Sequence, residues 1–262
     1  MEGRTAVAAE PARDEFWDLY SRYYDCVYRL MPYRKLLWDA YQALDLKPGV
    51  RVLDAGCGTG NFEHFIAEKN HPPVEIDAVD FSPAMLDRAR DKCSGLPHVT
   101  FGEANLNGRL PFEDATFDRI VSINVLYALE DWDRTMSELL RVLRPEGRMV
   151  LTSSLPAFKF GPLMADHLHR IGNIWGTRRK AQALLDTVKV VATSGVGSAA
   201  LNVFVINRRE TQGQYYSPDR ATLRGFLESH VVNGVDTYDI GLSMADQNFL
   251  ATATKACVGI AS

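Results

Sequence analysis

The order of the predicted elements indicates an α/β protein whose parallel sheet is covered by helices on both faces. Short apolar runs, typical of buried strands, alternate with helical patterns between residues 50 and 154. A glycine-rich loop follows the first of these strands, at the sheet edge where such folds bind ligands. The last two predicted strands are separated by only about five residues, which suits an antiparallel pair. We therefore expect a doubly wound sheet whose last strand is antiparallel.

Seven strands are predicted from apolar runs, and each is bounded by turn residues or by a helical pattern. They cover residues 50–55, 75–80, 98–104, 117–123, 148–154, 234–241 and 246–255. Helices are predicted between them at 61–70, at 84–93 behind a Ser-Pro start, at 131–147 and at 217–230. Pro145 and Gly147 are expected to stop the third of these helices.

The chain is predicted to have three parts. Residues 1–13 mix charges without apolar periodicity and are expected to be disordered. Residues 14–46 are rich in aromatic side chains at helical spacing and predict an N-terminal helical cap, which Pro32 divides in two. The remaining residues, 47–262, form the main domain, in which the segment 154–215 interrupts the strand rhythm and predicts a mostly helical lid.

Composition excludes several classes of protein. The chain has 262 residues, 46% of them hydrophobic, with a net charge of −4, so it can bury a sizeable core and lacks the basic excess of nucleic-acid-binding proteins. Its four cysteines are scattered and predict neither a metal site nor disulfides, which fits a cytoplasmic protein with reduced thiols. No apolar segment reaches the length of a transmembrane helix.

The glycine-rich loop carries the strongest functional signal. Glycines occupy positions 56, 58 and 60, directly after a predicted buried strand and before a predicted helix. A dinucleotide-binding fingerprint would place its third glycine one residue later, where Asn61 stands, and no Lys-Ser/Thr pair of a P-loop follows. Asp80 ends the next strand, and a carboxylate there can accept hydrogen bonds from both hydroxyls of a ribose.

Four ordered motifs give the chain a family resemblance. The stretch "VLDAGCGTGN" resembles motif I of the class I S-adenosylmethionine-dependent methyltransferases. "DAVDFSPAML", "VTFGEANLNGRLPFEDATFDRIVSINVLYAL" and "LRPEGRMVLTS" follow in the order of that family, and together the motifs cover residues 50–153. The resemblance implies a Rossmann-like, seven-stranded sheet, S-adenosylmethionine as cofactor, S-adenosylhomocysteine as product, and no metal.

The resemblance also assigns roles to individual residues. Asp54 would orient the loop and the methionine amino group, Asp80 would bind the ribose, and Phe81 would pack on the adenine. Glu103 would meet the adenine edge, although the family usually has Asp there. The full set of expected cofactor contacts is Tyr24, Asp54, Ala55, Gly56, Cys57, Gly58, Gly60, Asn61, Asp80, Phe81, Met85, Glu103, Ala104, Asn105, Asn124 and Val125.

The methyl acceptor is predicted to be a small, hydrophobic or aromatic molecule, as in many enzymes of secondary metabolism. The Asn/Asp-Pro-Pro-Tyr/Phe motif of nucleic-acid aminomethyltransferases is missing, and "NVLY" stands in its place. The predicted lid contributes apolar and aromatic side chains, among them Phe158, Phe160, Trp175, Phe204 and Tyr215. A general base is needed only if the accepting atom must lose a proton, and the candidates are Tyr127, His167 and His169.

Several alternatives remain open at the level of sequence. A protein of this fold can use S-adenosylmethionine for another reaction, such as a cyclisation, or bind it without catalysis. A nicotinamide-dependent dehydrogenase is disfavoured by the early third glycine. Whether the protein is a monomer or a homodimer is not encoded in any pattern. We expect the aromatic N-terminal segment to order when the cofactor binds.

Overall fold

The computed structural model describes residues 15–69, 73–156, 158–193, 216–231 and 234–257, and a seven-stranded sheet lies at its centre. The strand order is β3-β2-β1-β4-β5-β7-β6. Strands β1 to β5 are parallel, and β7 runs antiparallel to both β5 and β6. The predicted fold class is confirmed. The strands are β1 Arg51–Ala55, β2 Glu75–Asp80, β3 Val99–Glu103, β4 Phe117–Ile123, β5 Leu143–Ser154, β6 Val235–Ser243 and β7 Asn248–Lys255.

Eight α-helices within the described residues surround the sheet. They are α1 Glu15–Tyr24, α2 Met31–Leu44, α3 Asn61–Glu68, α4 Pro83–Lys92, α5 Trp132–Val142, α6 Phe160–Gly172, α7 Thr177–Thr193 and α8 Arg220–Val231. Two short 3₁₀ helices add Val27–Arg29 before α2 and Leu126–Ala128 after β4. Within the described part of the chain, every helix is too short or too polar to span a bilayer.

The central strands are apolar on both sides because each side of the sheet carries helices. Val52 and Leu53 are neighbours on β1 and are fully buried, yet they belong to different apolar clusters. Leu53 packs in the cluster that contains α5 and α8, whereas Val52 packs in the cluster that contains α2, α3 and α4. This alternation is the two-residue period of a strand, and it decides on which face of the sheet each β1 side chain lies.

The third predicted helix is shorter than expected. Helix α5 ends at Val142, and residues 143–154 form β5, so Pro145 and Gly147 lie within a strand instead of at the end of a helix. Leu143 has φ −78° and ψ 135°, which is extended backbone. A proline disfavours helical backbone in the residue before it, so the chain leaves the helix ahead of Pro145.

From residue 15 onward, the N-terminal segment folds as two α-helices, α1 and α2. Pro32 occupies the first turn of α2, where its missing N–H would have no helical partner, so it helps to begin that helix. Helices α6 and α7 follow β5. The predicted disorder at 1–13 and the second part of the predicted lid, residues 194–215 with Phe204 and Tyr215, lie outside the described residues.

Candidate functional site

The glycine loop joins β1 to α3 at the carboxyl end of the sheet. Gly56, Gly58 and Gly60 have φ of 89°, 54° and 75°, which is left-handed backbone that favours glycine. The N–H groups of Gly56 and Cys57 both donate to the carbonyl oxygen of Val79 on β2, at 2.8 and 2.9 Å. The loop is therefore fixed to the neighbouring strand by its main chain. Burial raises the pKa of the Cys57 thiol, so this side chain packs as a small neutral group.

Val125, two residues after the end of β4, packs against the start of the glycine loop. A Cβ atom at Gly56 would lie only 2.4 Å from Cγ2 of Val125, so any larger residue would collide with it. Ser122 Oγ donates to the carbonyl oxygen of Ala55 at 2.7 Å and ties β4 to the last residue of β1. Gly56 is thus required both by its φ and by the close approach of Val125.

Asp80 is held between the glycine loop and the start of α4. Its Oδ2 accepts from the N–H of Gly58 and its Oδ1 from the N–H of Ser82, both at 2.9 Å. The side chain is buried, and burial raises the pKa of Asp80 to about 6 although these N–H donors act in the opposite direction. The N–H of Phe81 also acts on this carboxyl, and a carboxylate with four lone pairs keeps acceptor capacity beyond these three donors.

The residues expected around the adenine lie next to Asp80. Phe81 is 40% exposed, and the ring of Trp17 from α1 stands edge-on to it with the ring centroids 6.0 Å apart. Met85 is buried in the first turn of α4. Glu103 is exposed and pairs in register with Asp80, and Ala104 N–H donates to the Asp80 carbonyl oxygen at 3.0 Å. An apolar face beside an open edge results, as a purine ring requires.

Two buried carboxyl groups lie behind the loop. Asp54 lies one residue before the end of β1, Glu63 lies in the first turn of α3, and the two carboxyls are close enough to act on each other. Burial raises the pKa of both carboxyls, and for Asp54 the negative charges of Glu63 and Asp80 raise it further. Glu63 was not predicted from the sequence. An acid in the apolar stretch "NFEHF" was the available signal.

A polar network connects the N-terminal segment to the loop. The Lys92 ammonium, at the end of α4, donates to Asp25 Oδ1 at 2.6 Å, to Asn61 Oδ1 at 2.7 Å and to Thr59 Oγ1 at 3.0 Å. Thr59 in turn donates to Asp25 Oδ1 at 2.5 Å. The turn after α1 is thereby tied to the glycine loop. Of these residues only Asn61 was expected at the site from sequence.

Tyrosine side chains cover the loop from the N-terminal side. The Tyr24 ring lies 3.7 Å from the place that a Cβ atom of Gly58 would occupy, and the hydroxyls of Tyr24 and Tyr33 are 3.4 Å apart. Burial raises the pKa of Tyr24, with added repulsion from Tyr33, Tyr20 and Tyr127, and it raises the pKa of Tyr33 to about 12. Both phenols are therefore protonated at neutral pH, and they act as hydrogen-bond donors.

Two of the expected asparagines make hydrogen bonds within the protein. Asn124 has φ 58°, and its Oδ1 accepts from Asn248 Nδ2 at 2.5 Å, on the antiparallel strand β7. Its N–H also donates to Thr152 Oγ1 at 3.1 Å, so its side chain stabilises the turn after β4. Asn105 Oδ1 accepts from the N–H of Asn107 at 2.9 Å and shapes the turn after β3.

The two candidate histidines lie on α6. His167 is buried, and its Nδ1 accepts from the N–H of Met31 at 3.1 Å, which leaves the proton on Nε2 to bond Thr187 Oγ1 at 2.9 Å. Burial lowers its pKa, so the ring is neutral. His169 is exposed and its Nε2 bonds the Asn173 amide at 3.0 Å. In the described residues, neither ring makes a hydrogen bond to the glycine loop, nor do His, Cys, Asp and Glu side chains cluster as metal ligands do.

Comparisons with known proteins agree with this geometry. A family model described as a methyltransferase domain matches residues 52–147. The chain is 36% identical over 154 residues to the ubiquinone/menaquinone biosynthesis C-methyltransferase UbiE of Geobacter sulfurreducens, covering 56% of this chain and 59% of that protein. It is 34% identical over 155 residues to the demethylmenaquinone methyltransferase of Thermus thermophilus, covering 56% of this chain and 69% of that protein.

A solved structure extends the likeness to the fold. A SAM-dependent methyltransferase from Aquifex aeolicus superposes with a TM-score of 0.53 over 91% of this chain and 98% of that one, at 14% identity. At this identity the superposition shows the fold alone. The alignment spans 59% of the length of the Geobacter relative. The matched motifs, the sheet order and the Thermus relative together show that the chain belongs to the class I S-adenosylmethionine-dependent methyltransferases.

Proposed function

We propose that the chain binds S-adenosylmethionine at the carboxyl ends of β1 and β2 and transfers its methyl group to a small hydrophobic or aromatic acceptor. The observation that carries this proposal is the group of three buried carboxyls, Asp54, Glu63 and Asp80, around a glycine loop. An anionic, water-poor site of this kind favours a ligand that bears an ammonium and a sulfonium.

The cofactor's parts are matched by residues already in position. Asp80 keeps acceptor capacity beyond its N–H donors and would accept a hydrogen bond from the ribose hydroxyls. Phe81 and Met85 supply apolar surface for the adenine, with Glu103 at its edge. The bare backbone at Gly56 and Gly58 lets the methionine moiety approach. These assignments extend the family's residue roles to this chain and are part of the proposal.

The chain's contribution to the reaction is alignment and exclusion of water. When bound, the cofactor supplies an activated methyl on sulfur and a neutral thioether as leaving group. Val125 and Tyr127 after β4 and Tyr24 from the N-terminal segment surround the loop with apolar and aromatic surface, which orients the acceptor for an in-line displacement. The phenols of Tyr24 and Tyr33 are protonated and would donate hydrogen bonds to the acceptor.

A base is required when the accepting O, N or C atom carries a proton. The hydrogen bonds of His167 engage both of its ring nitrogens, which makes it the weakest of the three candidates. Tyr127 lies beside the tyrosine cluster and His169 on the accessible side of α6, so these two remain the residues to test. Replacing each by Phe or Gln separates a loss of turnover from a loss of binding.

The acceptor most worth testing is an aromatic ring of the quinol type. Of the two relatives named above, one is a ubiquinone/menaquinone biosynthesis C-methyltransferase and the other is a demethylmenaquinone methyltransferase. The apolar and aromatic surroundings of the loop favour a ring of this polarity. Product mass decides the reaction: an increase by one methylene per turnover supports methyl transfer, and any other change supports a different use of the cofactor, such as a cyclisation.

Calorimetric titration with S-adenosylhomocysteine tests the cofactor site. We expect binding by the wild type and a loss of at least about tenfold in affinity in Asp80→Asn, because an amide replaces one acceptor oxygen with a donor. Asp77→Asn is the matched control, since Asp77 lies on the same strand and pairs with Arg51 away from the loop. Equal affinities in all three proteins would contradict the site. Binding without any turnover of acceptors would favour a non-catalytic protein.

A further inference from the structure

The carboxyls of Asp54 and Glu63 are almost completely buried and poorly satisfied. Their side chains are 2% and 1% exposed. Asp54 Oδ1 and both oxygens of Glu63 have no hydrogen-bond partner among the described residues. Two carboxylates are both acceptors, so these neighbouring groups can bond to each other only when one of them carries a proton. Burial raises the pKa of both carboxyls, and this favours a proton held between them in the ligand-free protein.

The surroundings offer this pair little positive charge. Lys92 is the cation that acts on Glu63, and its ammonium already donates to three other groups, Asp25, Thr59 and Asn61. The remaining titratable groups that act on the pair, from β2, the loop, α2 and α4, are neutral or acidic: Asp80, Cys57, Tyr33 and Cys93. Removing the shared proton would leave two buried negative charges with weak compensation, which is costly unless a cation arrives.

We propose that Asp54 and Glu63 form a proton-sharing pair that gives up its proton when the ammonium of the cofactor's methionine moiety binds beside it. The inference rests on the proposed cofactor site and adds Glu63 to it as a positioning residue. The carboxylic O–H bond breaks, its proton passes to solvent, and the freed oxygen lone pair accepts an N–H of the ammonium. The count of charges balances, because one cation enters as one proton leaves.

This exchange makes cofactor affinity depend on pH. The ligand-free pair binds one proton more than the liganded pair, so affinity rises with pH until the ligand-free pair is itself ionised. It also makes Glu63 more than a buried acid of α3. With Glu63 in place, a proton shared with Asp54 offsets the burial of two carboxyls in the ligand-free protein. With Gln at position 63, the amide donates a hydrogen bond to Asp54, which can then ionise without a shared proton to release.

The test is calorimetric titration with S-adenosylhomocysteine in buffers of different ionisation enthalpy at one pH near 7.5. The dependence of the observed heat on the buffer's enthalpy gives the number of protons released. The proteins are the wild type, Glu63→Gln, and Glu68→Gln as the matched control, an acid on the same helix that pairs with Arg34. Asp80 and the ligand's own amine titrate in all three proteins, so their shares cancel in the difference.

We expect the wild type and Glu68→Gln to release about one proton more per bound ligand than Glu63→Gln does, while all three bind. Equal proton release by the wild type and Glu63→Gln would overturn the inference and leave the cofactor site intact. No binding by the wild type would overturn the proposed function as well. If Glu63→Gln fails to fold, the proton release of the wild type at pH 7.5 decides. Asp80, with a pKa of about 6, is largely ionised at pH 7.5, so proton release that persists there supports the pair and its absence refutes it.

Discussion

The glycine loop and the α6–α7 region are built in opposite ways. The loop is fixed by main-chain hydrogen bonds to Val79, and its acidic side chains are buried. Helices α6 and α7 and the turn between them are held largely by side chains and expose large apolar residues, with Trp175 in the turn 95% and Val188 on α7 61% accessible. In the first region an added side chain meets closely packed neighbours such as Val125, whereas in the second a changed side chain meets solvent or one neighbour.

The glycine loop is the part of the molecule that tolerates little change, and the α6–α7 region is the part in which residues can change at low cost. The cofactor is the same molecule throughout the family, so a rigid main-chain frame serves it. The acceptor differs between enzymes, and a region held by a few side-chain contacts accepts new residues at low cost. We therefore expect substitutions near the loop to act on cofactor affinity, and substitutions on α6 and α7 to act on stability or on the acceptor.

The largest effect is expected from Gly56→Ala. The new Cβ atom would lie 2.4 Å from Val125 Cγ2, and φ of 89° is unfavourable for alanine. Left-handed backbone and overpacking each cost about 1–3 kcal/mol, so we expect affinity for S-adenosylhomocysteine to fall at least about thirtyfold, with a lower melting temperature. Gly161→Ala on α6 is the control, since nothing lies within 4 Å of its Cβ position. Similar losses of affinity in Gly56→Ala and Gly161→Ala would show that the glycine loop is no less tolerant of change than α6.

The second effect is the pH dependence of stability that Asp80 causes without ligand. Its folded pKa of about 6 lies above the ordinary value of 3.8, so the folded state binds more protons between these values. Asp80 therefore favours the folded state at low pH, and this contribution is lost as the pH rises through about 6. Between about pH 5 and pH 7.5, we expect Asp80→Asn to gain on the order of 1 kcal/mol relative to the wild type. Denaturant unfolding of both proteins measures this. A difference that stays constant with pH would show that burial leaves Asp80 unperturbed.

The glycine loop could be predicted from the sequence, whereas the buried partners behind it could not. The loop, Asp80 and the strands follow from spacing along the chain, because the carboxyl ends of neighbouring parallel strands meet at one edge. Strand β5 begins at Leu143 and not at residue 148 as predicted, because Pro145 disfavours helix in the residue before it and pairing with β4 draws Leu143 into the sheet. Glu63 and Lys92 were missed because their roles depend on partners from other elements, which no local pattern encodes.

A smaller effect is expected from Lys92→Met, which removes the cation between the N-terminal turn and the loop while keeping the chain length of the side chain. Lys92 holds Asp25, Thr59 and Asn61 together, so its loss should let α1 open more often. We expect faster hydrogen exchange in residues 15–24 and a rise of about threefold in the dissociation constant for S-adenosylhomocysteine. Lys47→Met, at an exposed ion pair with Asp45, is the control and should change neither. Unchanged exchange in α1 would show that the network does not hold the segment.

The smallest effect on cofactor binding is expected from His167→Ala. The ring joins the N–H of Met31 to Thr187 Oγ1, so its loss should destabilise the packing of α6 by about 1–2 kcal/mol. Because burial lowers the pKa of His167 below 6.5, its contribution is fully present above pH 6.5 and is lost as the pH falls through the folded pKa. Thermal unfolding of the variant and of His169→Ala, an exposed neighbour, measures both points. Cofactor affinity should be unchanged in both variants. A loss of cofactor affinity in His167→Ala as large as that in Lys92→Met would show that the α6–α7 region is coupled to the glycine loop through α2. Binding of the acceptor would then affect the cofactor site.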